Sequence, residues 1–175
     1  MNPKVCISPP ENKSDWVWLE KLWQKEWGGT TMVTRGTIYH LRDLNVLIAR
    51  EGEKPVGAIT YHLNSEDAEI ISLNALVEQR GIGGALLRSA EKEVQNAGRK
   101  RIWVITTNDN LDSLRFYQRR GYRMAALYPG TVDEARKDKP SIPLVGKFGI
   151  PLHDEIELEK VFNRERVGDR PFEHV

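Results

Sequence analysis

Cysteine is nearly missing from this sequence: among 175 residues only Cys6 carries a thiol. An intramolecular disulfide is therefore excluded, and a reducing compartment is the natural expectation. Long apolar runs are missing as well. No stretch approaches the ~20 residues that cross a bilayer as a helix, so no membrane partner is expected. The opening residues, Met1-Asn2-Pro3-Lys4-Val5, carry no apolar signal core, and a cytoplasmic protein is expected. Charge of one sign is not in excess either, the net charge being +1. A nucleic-acid backbone is accordingly not an expected partner. The short run Arg99-Lys100-Arg101 reads as cations near a helix C-terminus. His40, His62 and His153 lack metal-ligand spacing, so no metal is expected. Repeats and low-complexity linkers are absent. What remains is 39% apolar and 29% charged, the balance of a globular protein. One domain over residues 1–175 is expected, with a loosely held polar tail from Asn163 to Val175.

Periodicity places the elements. Val5 to Ser8 suits a short strand. Trp16, Leu19, Leu22, Trp23 and Trp27 recur at helical spacing in a segment that opens at Ser14 and stops at Gly28-Gly29. Thr30 to Leu41 is β-branched but ambiguous. Residues 45–51 and 56–62 read as strands joined by a turn at Gly52-Glu53-Lys54-Pro55, and 69–77 as the next strand. A helix from Gly83 to about Ala97 puts Leu86, Leu87, Ala90, Val94 and Ala97 on one face, and Gly98 stops it. A strand at 102–106 follows, then a helix capped by Asn110 and ended at Arg120-Gly121, then a strand at 122–128. Thr131 and Glu134 have capping-box spacing for a short helix to about Lys137. A Pro- and Gly-rich loop fills 140–151, and 155–161 makes a last strand. Strands interleaved with helices predict a mixed sheet flanked by helices.

The richest segment is Val77-Glu78-Gln79-Arg80-Gly81-Ile82-Gly83-Gly84-Ala85-Leu86-Leu87, which joins an apolar strand to an amphipathic helix. Glycine lets the chain turn tightly and lets a ligand approach the main chain. The first helical amides lack intrahelical acceptors and sit at the positive end of the helix dipole, a setting for a phosphate. A dinucleotide fingerprint is disfavoured by Leu86 at the third glycine position and by the absence of an acidic residue after the next strand, which ends in Thr106-Thr107-Asn108. That weighs against a nucleotide-binding oxidoreductase. A P-loop lacks its Gly-Lys-Ser/Thr. A plain tight turn is the remaining alternative.

About thirty residues downstream lies Asn110-Leu111-Asp112-Ser113-Leu114-Arg115-Phe116-Tyr117-Gln118-Arg119-Arg120-Gly121-Tyr122. Together the two segments resemble the GNAT superfamily of N-acetyltransferases, which pairs Arg/Gln-x-x-Gly-x-Gly/Ala with Asn-x-x-Ala-x-x-Phe-Tyr-x-x-x-Gly-Phe/Tyr. The likeness extends over roughly residues 43 to 128. Two positions depart from the pattern: Glu78 stands for the usual Arg or Gln, and Ser113 for the usual alanine.

The resemblance implies a mixed, mostly antiparallel sheet in which two parallel strands, ending at Val77 and near Thr107, splay apart. It implies acetyl-CoA as cosubstrate, with the pantetheine arm along the main chain of Leu76 and Val77. The amides of Arg80, Gly81, Ile82, Gly83, Gly84 and Ala85 would hold the pyrophosphate, with side-chain help from Gln79 and Arg80. A strand amide would polarise the thioester carbonyl. Asn110 can cap its helix, contact the pantetheine arm, or both. Tyr117 is either a core aromatic or, as the motif implies, the acid that protonates the departing CoA thiolate, with Phe116 packed in the core. Glu69 is a candidate base for the acceptor amine, or simply an exposed carboxylate. Strict alternation puts Ser72 and Asn74 on one face and Glu69 on the other, so that Glu69 and Asn74 do not act together unless a bulge intervenes. Trp27, Gly28, Gly29, Arg35, His40, Asp154 and Glu155 are candidates for shaping the acceptor pocket. The implied function is transfer of acetyl from acetyl-CoA to a primary amine, of a small molecule or a protein, in a ternary complex. A homodimer is common in such proteins. A CoA-binding regulatory module with vestigial transfer, which Glu78 alone favours, is the alternative.

Overall fold

The computed structural model describes residues 5–77 and 81–162. Its elements are β1 (Val5–Ser8), α1 (Lys13–Trp27), β2 (Thr31–Thr34), β3 (Thr37–His40), β4 (Asn45–Glu51), β5 (Lys54–Leu63), β6 (Asp67–Ala75), α2 (Ile82–Asn96), β7 (Arg101–Thr107), α3 (Leu111–Gln118), β8 (Arg123–Tyr128), α4 (Thr131–Asp138) and β9 (Glu155–Val161). The main sheet runs β1-β4-β5-β6-β7-β9-β8. Among the described residues only β6 and β7 are parallel; every other neighbouring pair in this sheet is antiparallel. The expected mixed, mostly antiparallel sheet flanked by helices is what the chain forms. The polar tail, residues 163–175, lies outside the described residues.

The ambiguous stretch 30–41 is a hairpin, β2–β3, whose strands pair with each other and form a sheet of their own. Its turn is Arg35-Gly36, both with positive φ, of 47° and 78°. Glycine supplies that conformation without strain, as tight hairpin turns require. Two helix starts differ from expectation. Asn12, not Ser14, caps α1, accepting from the Asp15 amide at 3.1 Å. Gly130, left-handed, occupies the cap of α4, and the Thr131 hydroxyl donates back to the Tyr128 carbonyl at 3.0 Å, so no capping box forms.

Each face of the sheet has its own core. Leu19, Leu22 and Trp23 of α1 pack with Leu41, Leu44, Val46, Ile48, Ala58 and Ile71. On the opposite face Ile82, Leu86, Leu87, Ala90 and Val94 of α2, with Leu114 and Tyr117 of α3, pack on Ile59, Tyr61, Ala68, Ile70, Ile102, Val104 and Leu158. Burying a Leu side chain contributes about 1.5–3 kcal/mol, and both helices are seated this way: Leu19 and Trp23 of α1 and Leu86 and Leu87 of α2 are fully buried.

One irregularity sets up the site. Along β5–β6, His62 pairs with Glu69 and Tyr61 with Ile70, but Thr60 pairs with Ser72. Ile71 is an extra residue, a β-bulge. His62, Thr60 and Ala58 alternate onto one face of β5. Their partners Glu69, Ser72 and Asn74 therefore share that face, the α1 side. Strict alternation would have separated Glu69 from Ser72 and Asn74, and the bulge overturns that expectation. The buried Thr60 and Ser72 hydroxyls, 2.7 Å apart, lie on it too.

Candidate active site

The parallel pair β6–β7 holds together only from Asp67–Arg101 to Ile70–Val104. β6 continues to Ala75 and β7 to Thr107, and among the described residues these ends make no rungs with each other. β7 keeps its other edge on β9 as far as Thr107–Glu155. The two strands thus diverge into a cleft whose closed end lies just past Glu69 and Ile70. Main-chain groups alternate sides along a strand. The Leu76 amide donates to the Val56 carbonyl at 2.9 Å, toward β5. Leu76 is thereby corrected as an amide donor to the cleft; alternation turns Leu73 and Ala75 of β6 that way, and the strand ends at Ala75.

The cleft opens toward the start of α2. Gly81 is left-handed, with φ 73°, and its carbonyl accepts the Ala85 amide at 2.9 Å. The Ala85 amide is thus committed inside the helix. The helix-start donors that remain are those of Ile82, Gly83 and Gly84. Glu78, Gln79 and Arg80, together with the roles expected of Gln79 and Arg80, lie outside the described residues. Side chains crowd the glycines. A Cβ on Gly83 would meet the Phe116 ring at 3.4 Å, and one on Gly84 would lie 3.0 Å from Arg120 Nη2 and 3.4 Å from Arg88 Nη1. Arg120 stacks on the Phe116 ring at 3.7 Å and donates to the Phe116 carbonyl at 2.8 Å. Burial, then the neighbouring Arg119 and Arg88, lowers its pKa. Two guanidinium groups therefore flank the helix start, where positive potential already accumulates. Sequence reasoning missed both. The signal was Arg119-Arg120 before Gly121, and Arg88 one turn into α2.

On α3, Tyr117 is buried and Phe116 is half-buried, packed against the same core as expected. Tyr117 makes edge contacts with Phe116 and Tyr122 at 5.1 and 5.2 Å. Burial pushes its phenol far above the usual tyrosine value, against a smaller pull from Arg120. Asn110 does cap α3, accepting from the Ser113 amide at 3.3 Å, and also accepts from Lys147 Nζ at 3.3 Å.

The α1-side face carries the polar groups. Glu69 is 3% exposed, not the exposed carboxylate of the bland expectation. Its two oxygens accept from the Thr34 and Tyr39 hydroxyls, each at 2.9 Å. Burial pushes its carboxyl above the usual glutamate value; the two hydroxyls and Arg35 offset this only in part. Burial and Glu69 push the Tyr39 phenol up to about 12. Register puts Glu155, Glu157 and Glu159 of β9 on the same face, opposite Thr107, Ile105 and Trp103. Arg101 pairs with Asp67 at 3.1 Å, Glu159 at 2.5 Å and Glu157. Arg35, at the hairpin turn, pairs with Glu157 at 3.3 Å and lies 4.4 Å over the Tyr128 ring. Trp27 reaches Asn74 Oδ1 from the end of α1 at 3.4 Å. Of the other pocket candidates, Glu155 is on this face, Gly28 caps α1, and Asp154 accepts from the Gly130 amide at 2.8 Å. His40 is exposed; it pairs with Thr31 and alternates with the inward Tyr39.

Against known proteins, residues 13–122 match the model of the Acetyltransferase (GNAT) family. Two Bacillus subtilis (strain 168) relatives, both named as uncharacterized proteins, align over most of the chain. YdhI is 40% identical over 160 residues, 91% of this chain and 100% of its own. YxbD is 44% identical over 138 residues, 78% of this chain and 87% of its own. A solved GNAT family acetyltransferase from Elizabethkingia anophelis, with acetyl-CoA bound, shares the fold. Its TM-score is 0.66 at 19% identity, covering 92% of this chain and 99% of that one.

Proposed function

The chain belongs to the GNAT acetyltransferase family, and from that premise we propose that it moves an acetyl group from acetyl-CoA to a primary amine in a ternary complex. The observation that carries the proposal is the cleft between β6 and β7, open onto the glycine-lined start of α2. An extended pantetheine arm would pair with the main chain of Ala75 and Val77 as an added strand does. The amides of Ile82, Gly83 and Gly84, with Arg88 and Arg120, would take the pyrophosphate charge. The acetyl group would then lie toward the closed end of the cleft, and a β6 amide would polarise its carbonyl.

The acceptor arrives as an ammonium and gives one proton to the Glu69 carboxylate. The nitrogen lone pair forms the N–C bond. The C–S bond breaks with its electron pair going to sulfur, and Tyr117 protonates the CoA thiolate. The surplus proton on the new amide nitrogen returns to Tyr117 through water. Asn74 and Ser72, brought onto the Glu69 face by the bulge, can hold a water between the ammonium and Glu69. The carboxylates sharing the Glu69 face outnumber Arg35 and Arg101 there, which favours a cationic amine. Titration calorimetry tests the cosubstrate: acetyl-CoA should bind, and no heat at millimolar ligand would overturn the reading. Amines that raise the melting temperature in the presence of CoA identify the acceptor class.

A further inference from the structure

The transferase reading uses Glu69 but not the groups that hold it. We propose that Tyr39, with Thr34, is a positioning residue for the acceptor step, and that the β2–β3 hairpin is a lid carrying this clamp to the closed end of the cleft. The proposal rests on the transferase reading, in which Glu69 takes the amine proton.

A carboxylate buried this deeply is costly unless its oxygens find donors. Both donors come from the hairpin, one to each oxygen: Thr34 from β2 to Oε1 and Tyr39 from β3 to Oε2. Met32 pairs with Tyr39 and Thr34 with Thr37, so these four share the inward face, while the pair Val33–Ile38 faces out and is exposed. Among the described residues the hairpin shares no strand pairing with the main sheet. Its described links to the body are mostly polar: the two hydroxyls on Glu69, Arg35 on Glu157 and Tyr128, and the Leu41 amide on the Thr30 carbonyl at its base. Met32 and Tyr39 add packing on the α1-side core, and the Tyr39 ring lies 5.2 Å from that of His62. A segment held this way can detach without opening the core. Closing it would cover the acceptor side and complete the hydrogen bonds of the base in one movement. The charged and titratable groups around Glu69 are Arg35 and Tyr39 of the hairpin, His62 of β5, Asp67 of β6, Arg101 of β7 and Glu157 of β9.

Carbon-13 spectroscopy of labelled glutamate carboxyls, with Glu69 assigned by its loss in Glu69→Gln, reads the clamp directly. Hydrogen bonds to a carboxylate favour its charged form. Tyr39→Phe and Thr34→Val should each raise the Glu69 titration midpoint by about one pH unit. A midpoint unchanged in either variant, with the remaining carboxyl spectrum native, would overturn the clamp. Should one variant fail to fold, the other carries the test. The lid is read separately: Glu69→Gln should speed amide exchange across 31–40 by about tenfold with 82–96 unaffected, and equal protection would overturn it. Calorimetry with acetyl-CoA on the unaltered protein keeps the readings apart. No binding there with a moved midpoint sinks the transferase reading alone, and binding with an unmoved midpoint sinks the clamp alone.

Discussion

The cleft side and the hairpin side of this sheet are made from different materials. On the cleft side the groups proposed to meet the cosubstrate are main-chain amides with Arg88 and Arg120, and what fixes the amides is apolar packing by α2 and α3. On the hairpin side the groups offered are side chains, and what fixes them is a set of hydrogen bonds and ion pairs around Glu69, Glu157 and Arg101. The difference teaches where substitutions are read. Apart from Tyr117, changes on the first side should act through stability and main-chain geometry, and on the second through charge and proton placement.

The largest effect should come from Leu86→Ala on the cleft side. Leu86 is fully buried, and such truncations cost about 2–5 kcal/mol, measurable by urea unfolding. A loss below about 1 kcal/mol would break the claim that this side rests on packing. Tyr117→Phe should lower turnover roughly 100-fold or more while acetyl-CoA affinity in calorimetry stays put. Unchanged turnover would return Tyr117 to the role of core aromatic. Gly57→Ala should cost about 1–3 kcal/mol by overpacking, because its Cβ would lie 2.7 Å from the Asn74 carbonyl. On the hairpin side, pH is the sharper probe. In the proposed reaction Glu69 must be ionised to accept a proton, and burial raises its pKa. The acid limb of kcat/KM should therefore lie above the ordinary glutamate value, activity falling as pH falls, and Glu69→Gln should abolish that limb. The smallest effect is expected at Lys137→Ala, which removes an exposed pair with Glu134, worth about 0.2–1 kcal/mol in melting experiments.

Much of this was legible in the chain. The strands at Val5–Ser8, Asn45–Glu51 and Glu155–Val161 follow from alternation and turn residues, and α2 from the spacing of Leu86, Leu87, Ala90 and Val94. Local chemistry misled where a neighbour competed. Ser14 looked like a cap, but Asn12 stood two residues earlier, and Gly130 in a left-handed turn displaced the Thr131–Glu134 box. The site was half legible. The glycine turn and Asn110 announced themselves by motif. Which amides are free did not, because that depends on partners distant in sequence, such as Val56 for Leu76. The face of Glu69 was written in the chain but easy to miss: apolar positions are even at Ala68 and Ile70 and odd at Leu73 and Ala75. The phase slips at Ile70-Ile71.

That slip makes position 71 a counting device. Another apolar residue there would keep the phase of β6 intact. Deleting it would leave no spare residue between Ile70 and Ser72, and one end of the strand would have to turn over. If the cleft end kept its phase, Asp67 and Glu69 would be driven into the layer beneath Leu87 and Val94. The acidic face thus depends on the length of this strand more than on its letters, and a deletion scan through 70–72 would find a site intolerant of shortening yet permissive to exchange.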